Sequence, residues 1–159
     1  APRCEVCPAR EFCTAHLENK WSVLPVKRKK AKRRIEEKTM FVLLRGDRAA
    51  LRRRAPEGLL AGLWEVPNVP GRLDEDAAAQ QVLRWGLTPL QWEEKLDAVH
   101  IFTHVEWHMT GYVLRVRGED RAAFDWAGRA LLSQRALPSA FAKYVEAIVQ
   151  RLPEDGEET

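Results

Sequence analysis

The 159-residue chain is 45% apolar and holds six Trp, enough for one folded domain with appendages. It has no run of about 18 apolar residues, which excludes a membrane-spanning helix from expectation. The net charge of +3 conceals an asymmetry: residues 1–54 carry 16 Lys/Arg against 6 Asp/Glu, and residues 55–159 carry 10 against 17.

All three cysteines lie in the first 13 residues, as Cys4, Cys7 and Cys13 in C-x2-C-x5-C spacing. So tight a loop gathers thiolates around a metal centre more readily than it forms a disulfide. An odd count without a secretory signal points to a reducing compartment. Structural zinc and iron–sulfur sites use four ligands. Three readings stay open: unrelated thiols, a Cys3His zinc site completed by His16, or an iron–sulfur loop whose first cysteine lies upstream of Ala1. On the last reading, residues 1–20 end a metal-binding loop in a longer protein.

Residues 21–38 read as a linker. Lys27, Arg28, Lys29, Lys30, Lys32, Arg33 and Arg34 place seven basic residues in eight positions, and self-repulsion keeps such a run extended. It suits a solubilising linker, a nuclear localisation patch, or a strap that releases counterions from nucleic-acid phosphates. Residues 39–153 read as the folded domain and 154–159 as an acidic tail.

Within the domain, 39–45 is apolar and β-prone. Gly46-Asp47-Arg48 is a turn, and 49–54 returns as a second strand with Arg52, Arg53 and Arg54 on both faces. The glycine-punctuated GLLAGLWEVP, 58–67, ends as a short strand stopped by Pro67. Asp74, Glu75 and Asp76 suit the first turn of a helix over 77–85, which Gly86 stops. Residues 96–101 are strand-like. Residues 105–117 form the longest strand candidate, with Val105, Trp107 and Met109 on one face. A short helix is expected over 129–135. Ser139, after Pro138, is the expected N-cap of a helix carrying Phe141, Tyr144, Val145, Ile148, Val149 and Leu152 at helical spacing. Without a steady βαβ rhythm, the class is α+β: a mixed sheet flanked by helices, preceded by an extended cysteine loop and basic linker.

The order of hairpin, GLLAGLWEVP segment, helix ending at Gly86 and paired strands resembles a Nudix fold. Four features together are similar to the C-terminal part of adenine DNA glycosylases of the MutY type. They are that segment, the C-x2-C-x5-C loop ahead of a linker, His100-Ile101-Phe102-Thr103-His104 between two strands, and LPSAF at 137–141.

The resemblance implies a domain that recognises 8-oxoguanine opposite adenine in double-stranded DNA. Phe102 would be an apolar wedge at the base step. Thr103, where the family typically has serine, would offer its hydroxyl to the lesion, which differs from guanine in an N7–H donor and an O8 acceptor. His104 would contact phosphate or brace the loop. Lys27 to Lys30, Lys32, Arg33 and Arg34 would contact the DNA backbone. As plain sequence, Phe102 also suits a core, Thr103 a turn and His104 a packed position. His100, His104 and His108, four apart on a strand, would lie roughly 13 Å from one another at ~3.3 Å per residue, so no shared metal is expected.

The resemblance further implies Cys4, Cys7 and Cys13 as three ligands of a 4Fe-4S cluster that is incomplete in this chain, with adventitious zinc as a substitute. It implies an N-terminal helical catalytic domain of the same protein as partner, repair proteins docking through the linker, no membrane, and a monomer. The location would be cytoplasm or nucleoid in a bacterium, nucleus or mitochondrion in a eukaryote. The glycosylase carboxylates of the family lie in that N-terminal domain. No catalytic residue is therefore assigned here, and the chain alone is expected to be inactive.

Two rival readings remain. One is a stand-alone nucleic-acid-binding module with a Cys3His zinc site. The other is a Nudix nucleotide hydrolase, whose chemistry needs clustered glutamates to hold divalent metal. Aligned on Gly86, this chain supplies Ala79-Gln80 and Leu83-Arg84 where the hydrolases have Arg-Glu and Glu-Glu.

Overall fold

The computed structural model describes residues 2–24, 26 and 32–154. Lys27, Arg28, Lys29 and Lys30, and the acidic tail from 155 onward, lie outside the described residues. The chain divides into two compact units, Ala1–Lys32 and Arg33–Thr159.

In the first unit, single turns of 3-10 helix at Cys4–Val6 and Arg10–Phe12 lead into a short helix α1, Thr14–Leu17. The Cys7 amide donates to the Cys4 carbonyl at 3.3 Å and the Cys13 amide to the Arg10 carbonyl at 3.3 Å. The cysteines thus sit on consecutive tight turns.

The second unit is a seven-stranded mixed sheet. Its strands are β1 (Arg34–Arg45), β2 (Arg48–Arg53), β3 (Trp64–Glu65), β4 (Asn68–Pro70), β5 (Leu87–Ile101), β6 (Val105–Gly118) and β7 (Asp125–Ala127). The order is β3-β2-β1-β6-β5, with β4 also on β1 and β7 also on β2. Helices α2 (Glu75–Arg84), α3 (Arg129–Gln134) and α4 (Ala142–Val149) complete the unit. β1 pairs antiparallel with β2 and β4 and parallel with β6, from Arg34↔Val105 to Leu44↔Arg115.

β1 is buried on both faces from Met40 to Leu44, so its apolar run is continuous rather than alternating. Met40, Val42 and Leu44 face one core with Trp107, Met109, Val113 and the α4 residues Tyr144, Ala147 and Ile148. Phe41 and Leu43 face another with Tyr112, Leu114 and the α2 residues Ala78 and Val82. Full burial of each such large side chain contributes about 1.5–3 kcal/mol. The sheet is therefore sandwiched between α2 and α4.

Several expectations hold in detail. Glu75 and Asp76 lie in the first turn of α2 as expected, while Asp74 sits just ahead of it as the N-cap, its carboxylate accepting from the Ala77 amide at 2.9 Å. Gly86 ends that helix at φ +82, where an added Cβ would lie 2.2 Å from the Glu119 carbonyl oxygen.

Others need correction. The linker drawn to residue 38 runs too far, because β1 begins at Arg34: parallel pairing with β6 recruits residues that local polarity marks as solvated. β5 starts at Leu87 rather than near 96. It is an edge strand whose exposed positions mix apolar Leu90, Trp92, Val99 and Ile101 with polar residues, and irregularities between Pro89 and Gln91 and between Trp92 and Glu94 break its alternation. Ser139 does not cap a helix with its side chain. It opens a 3-10 turn, Ser139–Phe141, that runs into α4.

α4 is locked to the sheet at two points. Gly111 of β6 leaves room for the Tyr144 ring, since a Cβ there would lie 2.2 Å from Tyr144 Cε1. The Tyr144 hydroxyl donates to the Met109 carbonyl at 3.2 Å, and burial, aided by Asp97, pushes its pKa up. Just past α4, Arg151 donates to Glu93 and Glu94, each at 2.7 Å, while Arg115 donates to Glu93 at 2.6 Å. Burial alone would raise the Glu93 carboxyl, but the two arginines outweigh it and hold it below its ordinary value.

Gly111→Ala is expected to destabilise the domain by about 1–3 kcal/mol, as overpacking does. The measurement is the urea midpoint, and an unchanged midpoint would show that Tyr144 is not seated against β6. A second expectation concerns pH. A carboxyl lowered on folding stabilises above its unfolded pKa, and that contribution disappears as pH falls through the folded value. Stability should therefore drop on acidification below the ordinary carboxylate value of 4.5. Glu93→Gln should flatten that drop in a series of denaturant titrations, and an equally steep drop in the variant would remove Glu93 as its source.

Candidate functional site

β5 and β6 form a long antiparallel hairpin in register from Leu87↔Gly118 to Ile101↔Glu106. Its tip is Phe102-Thr103-His104, closed by the Phe102 amide donating to the Val105 carbonyl at 2.8 Å. Thr103 and His104 are exposed. No described residue hydrogen-bonds the Thr103 hydroxyl or the His104 ring. A free hydroxyl with donor and acceptor capacity thus stands at the end of a rigid two-stranded finger.

Phe102 does not project with them. It is half-buried against the α4-side core. Its ring stands edgewise between His100, centroids 4.5 Å apart, and Trp107, 4.8 Å apart. Edge-to-face packing of this kind adds about 0.5–1.5 kcal/mol beyond area burial. The wedge expected from sequence is thus engaged in packing and braces the finger.

The same register explains the brace. His100 and Trp107 are cross-strand partners, so they flank Phe102 on one face. The residues around Trp107 escaped the sequence reading. Its indole donates to Glu36 at 2.9 Å, and Lys38 lies over its ring, 4.6 Å from the centroid. Burial would raise the Glu36 carboxyl, but hydrogen bonds from Arg34 and Trp107 outweigh it and hold it down. Burial, reinforced by Arg54, pulls the Lys38 ammonium below its ordinary value despite Glu36 and Glu65. The alternation of residues 34–38 could have shown this, had they been read as strand.

The end of the basic run meets the tip of the finger. The Arg33 Nε donates to the Phe102 carbonyl at 3.0 Å, and the Arg34 amide donates to the His104 carbonyl at 3.2 Å. Arg34 also pairs with Glu36 at 2.5 Å. Both arginine side chains are exposed, as is Lys32 at the end of the first unit. Of the seven basic residues singled out, the structure therefore brings Arg33 and Arg34 to the finger.

Arg52, Arg53 and Arg54 have a different use. Arg52 donates to the buried Glu65 carboxylate at 3.0 and 2.8 Å, and Arg54 grips its other oxygen. Arg53 and Arg54 donate to the Gly62 and Leu59 carbonyls, each at 3.1 Å. They pin the GLLAGLWEVP segment, making Glu65 a structural carboxylate. On α2 the acids lie in the first turn, at Glu75 and Asp76, and the Ala79-Gln80 and Leu83-Arg84 positions carry none.

In the first unit, Cys4, Cys7 and Cys13 border one hollow of about 440 Å³, with His16, Trp21 and Leu24. Cys4 and Cys13 are half-buried and Cys7 is exposed. The Arg10 Nε donates to the His16 ring at 3.2 Å. Among the described residues, no three His, Cys, Asp or Glu side chains converge closely enough to hold a single ion. Three thiols around a roomy, largely apolar hollow fit the donor chemistry of a polynuclear cluster better than that of one tetrahedral ion.

Known proteins locate this architecture. The sequence matches the NUDIX domain family over residues 39–147. An adenine DNA glycosylase of Rattus norvegicus is 31% identical over 96 residues, covering 55% of this chain and 18% of that protein. One of Arabidopsis thaliana is 32% identical over 133 residues, covering 65% and 21%. The chain thus spans about a fifth of the length of these relatives. Among solved structures, the C-terminal domain of mouse MUTYH, in complex with human PCNA, matches with a TM-score of 0.55 at 22% identity, over 72% of this chain and 87% of that one. The MutT NUDIX hydrolase from Burkholderia pseudomallei matches with a TM-score of 0.55 at 19% identity, over 71% and 97%. The chain belongs to the NUDIX domain family, and its domain is homologous to part of the adenine DNA glycosylases.

Proposed function

We propose that this chain is the lesion-recognising part of an adenine DNA glycosylase and that it reads 8-oxoguanine opposite adenine in duplex DNA. The observation that carries the reading is the exposed Thr103-His104 tip, set on a hairpin with Arg33 and Arg34 bonded beside it. The likeness to the two glycosylases supplies the substrate class.

Thr103 presents the hydroxyl to the base edge that oxidation inverts from acceptor to donor. His104 lies within reach of the adjoining sugar–phosphate. Lys32, Arg33 and Arg34 neutralise phosphates and set register, without reading sequence. Phe102 keeps the tip stiff from behind. Cleavage of the adenine N-glycosidic bond belongs to a separate catalytic domain of the parent protein. The hydrolase alternative is disfavoured because α2 offers Gln80 and Arg84 where a metal-binding helix needs carboxylates.

The cysteine hollow is proposed to hold a 4Fe-4S cluster through Cys4, Cys7 and Cys13, supplying a rigid, charged anchor when bound; the remaining ligand is not among this chain's cysteines. A protein partner in DNA repair is proposed by analogy with the mouse domain crystallised with PCNA. Cells would hold the protein wherever their DNA is.

The test is a titration of duplexes carrying 8-oxoguanine or guanine opposite adenine. The chain should prefer the oxidised duplex. Thr103→Ala should shrink that preference by roughly 1–3 kcal/mol, the scale of one good base-edge contact. Equal affinity of the unaltered chain for both duplexes would end the proposal. For the cluster, protein purified without oxygen should carry iron and acid-labile sulfide that Cys7→Ser diminishes. Zinc alone at one per chain would instead favour the Cys3His module.

A further inference from the structure

The finger is held from outside its own hairpin. Two carbonyls flank Thr103, those of Phe102 and His104, and both accept hydrogen bonds from the start of β1. The His104 bond is made by a backbone amide and survives any side-chain change at Arg34. The Phe102 bond depends on one side chain, Arg33, 69 positions away in sequence.

Arginine carries five N–H donors in a rigid planar fork. Arg33 spends its Nε on the Phe102 carbonyl, and its two Nη groups have no partner among the described residues. The side chain is exposed and follows Lys32 in the basic run. Arg34 differs, because its Nη2 is committed to Glu36 at 2.5 Å.

We infer that Arg33 is a positioning residue: one guanidinium bridges the Phe102 carbonyl and a backbone phosphate of the bound duplex, coupling the grip on DNA to the set of the Thr103 tip. This rests on the proposal that the finger meets DNA. Geometry favours a bridge over a plain phosphate contact. The fork points one edge into the finger and leaves its other donors facing solvent, so a phosphate can be bound without releasing the carbonyl. A lysine, with a compact ammonium on a flexible stem, keeps the charge but not this two-sided geometry.

The experiment uses the full 159-residue chain and its Arg33→Lys, Arg33→Ala and Lys32→Ala variants. Each is titrated with 8-oxoguanine and guanine duplexes across a salt series. Amide hydrogen exchange at Phe102 and Arg34 is followed in the free proteins. Lys32→Ala should weaken both duplexes alike and lower the salt slope by about 0.9, the share of one phosphate. Arg33→Lys should keep the slope, narrow the preference for 8-oxoguanine about five- to tenfold, and speed exchange at the two amides by a similar factor, as loss of one hydrogen bond does. A preference unchanged in Arg33→Lys, or an Arg33→Ala variant that behaves like Lys32→Ala, overturns the inference and leaves Arg33 a simple phosphate contact. Absence of any preference in the unaltered chain defeats the lesion-reading proposal and the bridge with it. Unaltered amide exchange in Arg33→Lys beside a normal preference in the unaltered chain defeats the positioning role alone.

Discussion

The parallel pairing of β1 with β6 decides where everything else lies. Strand direction determines which ends meet. Because the two strands run the same way, the start of β1 sits beside the start of β6, and Arg34 aligns with Val105. Arg33 and Arg34 therefore arrive at the finger. Had β1 run the other way in the same place, Arg34 would lie at the far end of a 12-residue strand, about 36 Å away at ~3.3 Å per residue. Parallel strands also require a long crossover, and everything from β2 to β5 lies within it, including α2 and the GLLAGLWEVP segment.

That segment shows how a sequence signature can be structural in origin. Its glycines let the chain wrap back from β2 to β3, and its Glu65 is gripped by Arg52 and Arg54 beneath the sheet edge. A carboxylate this buried is tolerated only when paired and hydrogen-bonded. Arg54 also leans over Trp107, 5.5 Å from the ring centroid, with Lys38 on the same ring. The segment thereby supports the wall against which Phe102 rests. Its contribution to recognition is indirect, through the stiffness of the finger.

What could be read from the sequence followed the range of the interactions. The first-turn acids Glu75 and Asp76, the Gly86 stop, the apolar run of β1 and the alternation of Val105, Trp107 and Met109 are local patterns, and each appears in the fold. β5 was half hidden because an edge strand with bulges has no periodicity to announce it. β4 and β7 span three residues each and exist only through their partners. The finger was visible as His100-Ile101-Phe102-Thr103-His104, but its brace was not. Phe102 looks like a wedge until the cross-strand pairing of His100 with Trp107 places rings on either side of it. The Arg33 latch joins residues 69 apart and leaves no trace in composition.

Charge poses the remaining question, since under the proposed function a domain rich in acids would approach a polyanion. Several carboxylates are committed to arginines within the fold. Glu65 is held by Arg52 and Arg54, Glu93 and Glu94 by Arg115 and Arg151, Asp125 by Arg135, and Glu36 by Arg34. Each pairing cancels a negative charge at short range and leaves a dipole whose field decays faster than that of a free ion. At the finger the Arg33 guanidinium pairs with no carboxylate among the described residues, and its hydrogen bond there is to a carbonyl. Over distances beyond the ~8–10 Å of salt screening, neither feature acts strongly. Close to the surface, the Arg33 guanidinium would offer an approaching phosphate a positive charge beside the Thr103-His104 tip. On the proposed function the acidic composition is compatible with docking, and what distinguishes Arg33 from another arginine without an acid partner, such as Arg53, is that the carbonyl it holds lies beside Thr103.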